Sequence, residues 1–206
     1  MRLAFLAAAF ALAACEKPPA TTAAPAATYS AASPIEAPAS RVASAEGWQT
    51  TTAAHPLIGQ TAPDFLLQKV GGGSVSREQL RGRWTILGFW NATLAGVEEE
   101  TRYIRALNSA VDQDPDLDLL TIYLKLDAAG TDIGKWFANN GGDPWPTLVD
   151  EGGADDAFGI GVLPAYLFIG PDLTIHAWRG ALSDDTDGIK PMIRGVAEIR
   201  KQLASR

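Results

Sequence analysis

The stretch WTILGFWNATLAGVEEE, residues 84–100, decides how the chain is read. Residues 84–90 form a nearly continuous apolar run, the pattern of a strand buried on both faces. From about residue 95 to 112 the spacing turns helical, with Val97, Tyr103, Ile104, Leu107 and Val111 on or near one side. Open α/β sheets place their ligand sites where strands end and helices begin. This junction offers leucine, alanine, glycine and valine, none of which reacts.

Outward from it, the elements alternate. FLLQKV, GGGS and SVSREQL predict a strand, a glycine turn and a short second strand leading into a helical turn. LDLLTIYLKL (117–126) is a second buried strand, and TDIGKWFANN (131–140) a helix with Thr131 or Asp132 as N-cap. PTLVD, AYLFIG and TIHAW are three further short strands, the last two joined by the turn PDL. A final helix spans about 188–204. Alternation predicts parallel pairing in the middle, and the late hairpin an antiparallel pair. The expected class is α/β: a mixed central sheet flanked by helices, with an N-terminal β-hairpin.

Three regions are expected. Residues 1–14 have the layout of a secretory signal, with Arg2 before an apolar run too short for the roughly 20 residues of a spanning helix. Leu12-Ala13-Ala14-Cys15 resembles the bacterial lipobox. That resemblance implies cleavage before Cys15 and lipidation of its sulfur, anchoring the chain in a bacterial envelope membrane and facing the periplasm. Glu16 differs from the aspartate that holds some enterobacterial lipoproteins at the inner membrane, which leaves outer-membrane delivery open. Residues 15–54, rich in Ala, Pro, Ser and Thr, read as a flexible tether in which Trp48 either packs onto the domain or, the preferred reading, is an exposed aromatic. Residues 55–206 form the globular domain.

The 206-residue chain has a single cysteine, so once Cys15 is lipidated no free thiol remains and no internal disulfide can form. Arg2, Lys17 and Arg41 balance Glu16, Glu36 and Glu46, so all of the net charge of −7 falls in residues 55–206. An acidic domain argues against nucleic-acid partners, whose phosphates attract lysine and arginine. With His55 and His176 far apart in sequence and no cysteine to help, no metal site is expected. DQDPDLD (112–118) alternates acids but lacks the glycine and the final glutamate of a calcium loop, and reads as a helix-to-strand turn. SDDTDG (183–188) reads as a helix N-cap. GGGS is too short for a phosphate loop, no G-x-S-x-G elbow occurs, and no cofactor is expected. Trp84, Trp90, Trp136, Trp145 and Trp178 read as core or groove walls.

IGQTAPDFLLQ (58–68), LRGRWTILGFWNA (80–92), PWPTLVDEGG (144–153) and FGIGVLPAYLFIGPDLTI (158–175) resemble, in order, the TlpA-like and ResA-like thioredoxin-fold proteins of the bacterial envelope. The opening APDF and hairpin also resemble peroxiredoxins, which share the fold. The resemblance covers about residues 56–206. It implies a thioredoxin-like fold, with Leu94 and Val97 in the places of the two active-site cysteines and Thr93 in that of the preceding tryptophan. Glu100 matches a common family glutamate, Thr101 and Arg102 stand where many relatives have a proline, and Pro164 matches the family's cis-proline. Leucine and valine have no proton to lose and no lone pair to donate, so thiol–disulfide exchange cannot run through them. Glu98, Glu99 and Glu100 read together as stabilisers of the helix N-terminus.

The expected function is a redox-inactive, membrane-anchored binding module. Its groove for an envelope protein or peptide would be built around Trp90, Thr93, Leu94, Val97, Leu163 and Pro164. The alternative is a TlpA-like oxidoreductase or redoxin-type antioxidant protein using a redox centre outside this chain. A structural spacer or holdase reads the same way as the first.

Overall fold

The computed structural model describes residues 28–30, 43–126, 131–141, 145–180 and 189–205. Residues 1–14, expected to be a signal segment, with Cys15 and SDDTDG (183–188) lie outside them. The strands are β1 (Thr28–Ser30), β2 (Asp64–Lys69), β3 (Ser74–Ser76), β4 (Trp84–Trp90), β5 (Leu117–Leu124), β6 (Thr147–Asp150), β7 (Ala165–Ile169) and β8 (Ile175–Arg179). The helices are α1 (Val97–Val111), α2 (Ile133–Asn139), α3 (Ala154–Phe158) and α4 (Ile189–Ala204), with a 3-10 turn at Arg77–Leu80. In one sheet the order is β1-β2-β6-β5-β4-β7-β8, with β3 beside β2. Strands β4, β5 and β6 run parallel, and β2, β7 and β8 join antiparallel, giving the mixed sheet the alternation predicts. No helix among the described residues is long and apolar enough to cross a membrane.

β4 is an interior strand between β5 and β7, which explains why its sequence is apolar at nearly every position. Its alternating side chains feed two cores. Ile86 and Trp90 join Ile104, Leu107, Phe137, Phe168, Met192 and Ile199 under α1, α2 and α4. Leu87 and Phe89 join Leu67, Ile122, Leu148, Phe158 and Leu167 on the other face. Gly88 is there for space: a Cβ would lie 3.0 Å from the Tyr166 ring and 3.3 Å from Thr121 Cγ2.

Three of the four acids of residues 112–118 are held by arginines: Arg200 binds Asp114 and Asp116, and Arg83 binds Asp118. That turn is thus a helix-to-strand connection. Asp132, rather than Thr131, caps α2 by accepting from the Lys135 amide at 3.1 Å. Helix α3 was not evident from the sequence, because its five residues are too few to show a period.

Trp48 differs from the sequence expectation. It is fully buried, packs on Phe168 with ring centroids 6.0 Å apart, and donates its indole N–H to the Met192 carbonyl at 3.0 Å. Residues 43–54, assigned from sequence to the tether, therefore lie on the domain. Ala45 pairs with Trp48, Gln49 bridges to Trp178 on the β8 edge, and Arg179 donates to the Glu46 carbonyl at 2.6 Å. The composition of the segment is that of a linker, but one large aromatic is enough to seat it. The seat also explains a glycine inside α4: a Cβ on Gly195 would lie 2.6 Å from Trp48 Cδ1 and 2.7 Å from the Ala45 carbonyl.

Trp48→Ala should cost about 3–5 kcal/mol, the usual range for emptying a buried aromatic site, as measured by urea unfolding. Gly195→Ala should also destabilise, although alanine is the better helix former. A neutral result for both would mean that the strap is not part of the folded unit.

Candidate functional site

The C-terminal end of β4 is tied down before the chain turns. Buried Asn91 donates from Nδ2 to the Leu124 carbonyl at 2.5 Å, joining the ends of β4 and β5. Its Oδ1 accepts from the Thr93 amide at 2.7 Å and the Thr93 hydroxyl at 2.6 Å, closing a turn of the kind asparagine favours. Gly96 then takes a left-handed conformation (φ 83°) and opens α1. Across the sheet Phe89 pairs with Ala165, so the turn after β4 lies against the residues before β7. There the peptide bond between Leu163 and Pro164 is cis.

Trp90, Asn91, Leu94, Ala95, Gly96, Val97, Glu100, Leu163 and Pro164 line one pocket of about 90 Å³. Five of the six groove residues read from the sequence thus converge. Thr93 is exposed, gives its hydroxyl to Asn91 and does not line the pocket. Trp90 forms the rear wall. It is 1% exposed, packs against Tyr123, Trp136, Phe137 and Trp145, and donates to Thr121 Oγ1 at 3.3 Å. Leu94 is 41% exposed and neighbouring Val162 is 51% exposed, unusual for large aliphatics in a domain whose others are mostly covered.

Glu100 is where the structure goes beyond the sequence. Glu98 and Glu99 point to solvent as helix-end acids do, but Glu100 turns inward to the pocket. The Tyr166 hydroxyl donates to Glu100 Oε1. Burial raises the Glu100 carboxyl from 4.5 to about 7, against the lowering effect of that hydrogen bond, and Glu99 adds repulsion. Tyr166 is itself held well above its ordinary range by burial and by Glu100, and burial raises Tyr103 to about 12. The available signal was spacing: Glu100 is three residues after Val97, and residues three apart share a helix face.

The pocket's chemistry is spare. It has apolar walls, one carboxyl and no sulfur, and no cluster of histidine, cysteine or acids among the described residues suits a metal ion. His55 is buried and stacked on Trp178, and His176 is half-buried against Trp84. The volume equals about three waters at ~30 Å³ each. Small-molecule and cofactor sites commonly occupy about 300–1,000 Å³. It admits a side-chain end.

Comparison with known proteins agrees with this architecture. The AhpC/TSA family model matches residues 58–178, more than half of the chain. The thiol-disulfide oxidoreductases ResA of Bacillus thuringiensis (strain Al Hakam) and Bacillus anthracis are each 29% identical over 117 residues, 56% of this chain. The match spans 65% of the length of those relatives. The structure resembles the pneumococcal exposed lipoprotein thioredoxin of Streptococcus pneumoniae strain TIGR4, with a TM-score of 0.56 and 17% identity over 66% of this chain and 98% of that one. It also resembles a thiol-disulfide oxidoreductase of Bacteroides fragilis NCTC 9343, with a TM-score of 0.53 and 20% identity over 66% and 98% of the two chains. At these identities the likeness establishes the thioredoxin-like fold.

The raised Glu100 carboxyl has a consequence for stability. The native state holds this proton up to about pH 7, whereas the unfolded chain releases it near 4.5, so stability falls as pH rises through that window. Glu100→Gln should therefore gain on the parent between pH 4 and pH 8, on the order of 3 kcal/mol at about 1.36 kcal/mol per pKa unit. Urea titrations at the two pH values measure it. A difference that does not change with pH would contradict the buried placement.

Proposed function

The chain belongs to the AhpC/TSA family, and from that footing we propose that it is a redox-inactive binding module that retains the family scaffold without its sulfur chemistry. The observation that carries this reading is what stands at residues 94 and 97. A thiolate at the end of a helix is the nucleophile of disulfide exchange. Here the same junction carries a half-exposed leucine and a valine, facing Leu163 and Pro164. Two aliphatic replacements leave a drier surface than serines would. Desolvating such a surface against an extended apolar segment contributes roughly 25 cal/mol per Å² of apolar area.

The partner is an envelope protein or peptide, bound in an extended form alongside Leu163 and Pro164. The chain is held at the membrane by lipid on Cys15 and faces the periplasm of a bacterial envelope. Support for that placement comes from the lipobox-like LAAC at residues 12–15 and from the fold's likeness to a protein described as an exposed lipoprotein thioredoxin. The names of the ResA relatives support a second reading, a thiol-disulfide oxidoreductase whose redox centre comes from outside this chain.

A fluorescein-labelled peptide, SVAXVAS with X norleucine, tests the groove by anisotropy. Leu94→Asp should weaken binding at least about tenfold, because it places a charge on the surface the peptide must dehydrate. Pro164→Ala should weaken it as well. Unchanged binding by both variants would sink the binding-module reading.

A further inference from the structure

The pocket is not uniformly apolar: the Asn91 amide is spent on Leu124 and Thr93, which leaves one polar side chain, Glu100, in an informative place. Leu94, Ala95, Val97, Leu163 and Pro164 form aliphatic walls, and the Glu100 carboxyl is the single ionisable group among the lining residues. Tyr166 occupies Oε1 from behind, while Oε2 accepts no hydrogen bond among the described residues. No lysine or arginine lines the pocket, and no ion pair among the described residues involves Glu98, Glu99 or Glu100. A slot with an apolar wall and a carboxyl at one side is complementary to a side chain with an apolar stem and a cationic tip. The volume of about 90 Å³ suits one such chain end.

The geometry points to a lysine-selective subsite: Glu100 binds the ammonium of a basic residue in an extended partner segment, whose stem lies against Leu94, Val97 and Pro164. This rests on the binding-module reading and names the partner's chemistry, an apolar segment interrupted by lysine. Charge complementarity favours it over a second copy of this chain. The chain's net charge is −7, and Glu98 and Glu99 are exposed beside the pocket, so two copies repel where a basic segment is drawn in.

The selectivity is gated by protons. Glu100 faces Glu99 on its own helix, Tyr103 one turn on, Tyr166 on β7 and, beyond the two tyrosines, Arg179 on β8. Below about pH 7 the carboxyl is protonated and offers a cation little. Above it, the ionised carboxylate forms a charge-assisted hydrogen bond, of a kind that contributes about 1.5–3 kcal/mol, or roughly ten- to a hundredfold in affinity. Lysine stays charged throughout.

The test compares SVAXVAS carrying lysine with the same peptide carrying norleucine, which keeps the stem and lacks the charge. At pH 8 the lysine peptide should bind at least about tenfold tighter, and at pH 5.5 the two should come within about threefold. Glu100→Gln should abolish both the preference and its pH dependence. The pair Glu98→Gln and Glu99→Gln should leave the preference in place. Equal binding of the two peptides at pH 8, with Leu94→Asp still weakening both, would overturn the subsite and spare the groove. Loss of the preference in the Glu98/Glu99 pair would overturn it in favour of diffuse surface charge. Binding of neither peptide would overturn the groove and the subsite together.

Discussion

The antiparallel pairing of Phe89 with Ala165 is the constraint on which the site depends. It sets the turn that follows β4 against the residues that precede β7, so Leu94 and Val97 meet Leu163 and Pro164 although about seventy residues separate them. Both strands are buried in the middle of the sheet, and a slip of one residue would turn each apolar face to the wrong side. Asn91 completes the arrangement by tying the end of β4 to the Leu124 carbonyl and folding the chain back through Thr93.

What the scaffold presents at that point is hydrocarbon. A helix N-terminus carries partial positive charge that can stabilise an anion in front of it, but leucine and valine supply none. The one pocket-lining group whose ionisation the protein has shifted is Glu100, raised chiefly by burial, with repulsion from Glu99 added. Shifted ionisation in a pocket is a frequent mark of a functional site. In the proposed subsite it would act through recognition: a carboxyl at the side of an apolar slot discriminates by charge where the walls discriminate only by size.

Much of this was legible in the sequence because the signals were local. The continuous apolar run of 84–90, the helical spacing after it and the PDL turn set the order of elements, and four motifs in series pointed to the fold. The turn after β4 and the loop before β7 were placed together through the resemblance, as the pairing requires. What escaped depended on tertiary contact. Trp48 sits in linker-like composition, and nothing near it announces that Met192 and Phe168 will receive it. Glu100 is indistinguishable from Glu98 and Glu99 by residue type, and only the register of α1 against β7 turns it inward to Tyr166. Thr93, assigned to the groove by position, is diverted by its hydrogen bonds to Asn91.

A redox-inactive module on this scaffold would differ from a working one chiefly in the two sulfurs missing at Leu94 and Val97. The direct measurement is disulfide reduction, followed with a dithiol reductant, by two forms of the chain that both carry Cys15→Ser. One keeps Leu94 and Val97, and the other carries Leu94→Cys with Val97→Cys. The first should show no turnover above the uncatalysed rate and the second should cycle between dithiol and disulfide. Turnover by the form without any thiol, or an inert and unpaired cysteine pair in the other, would contradict it.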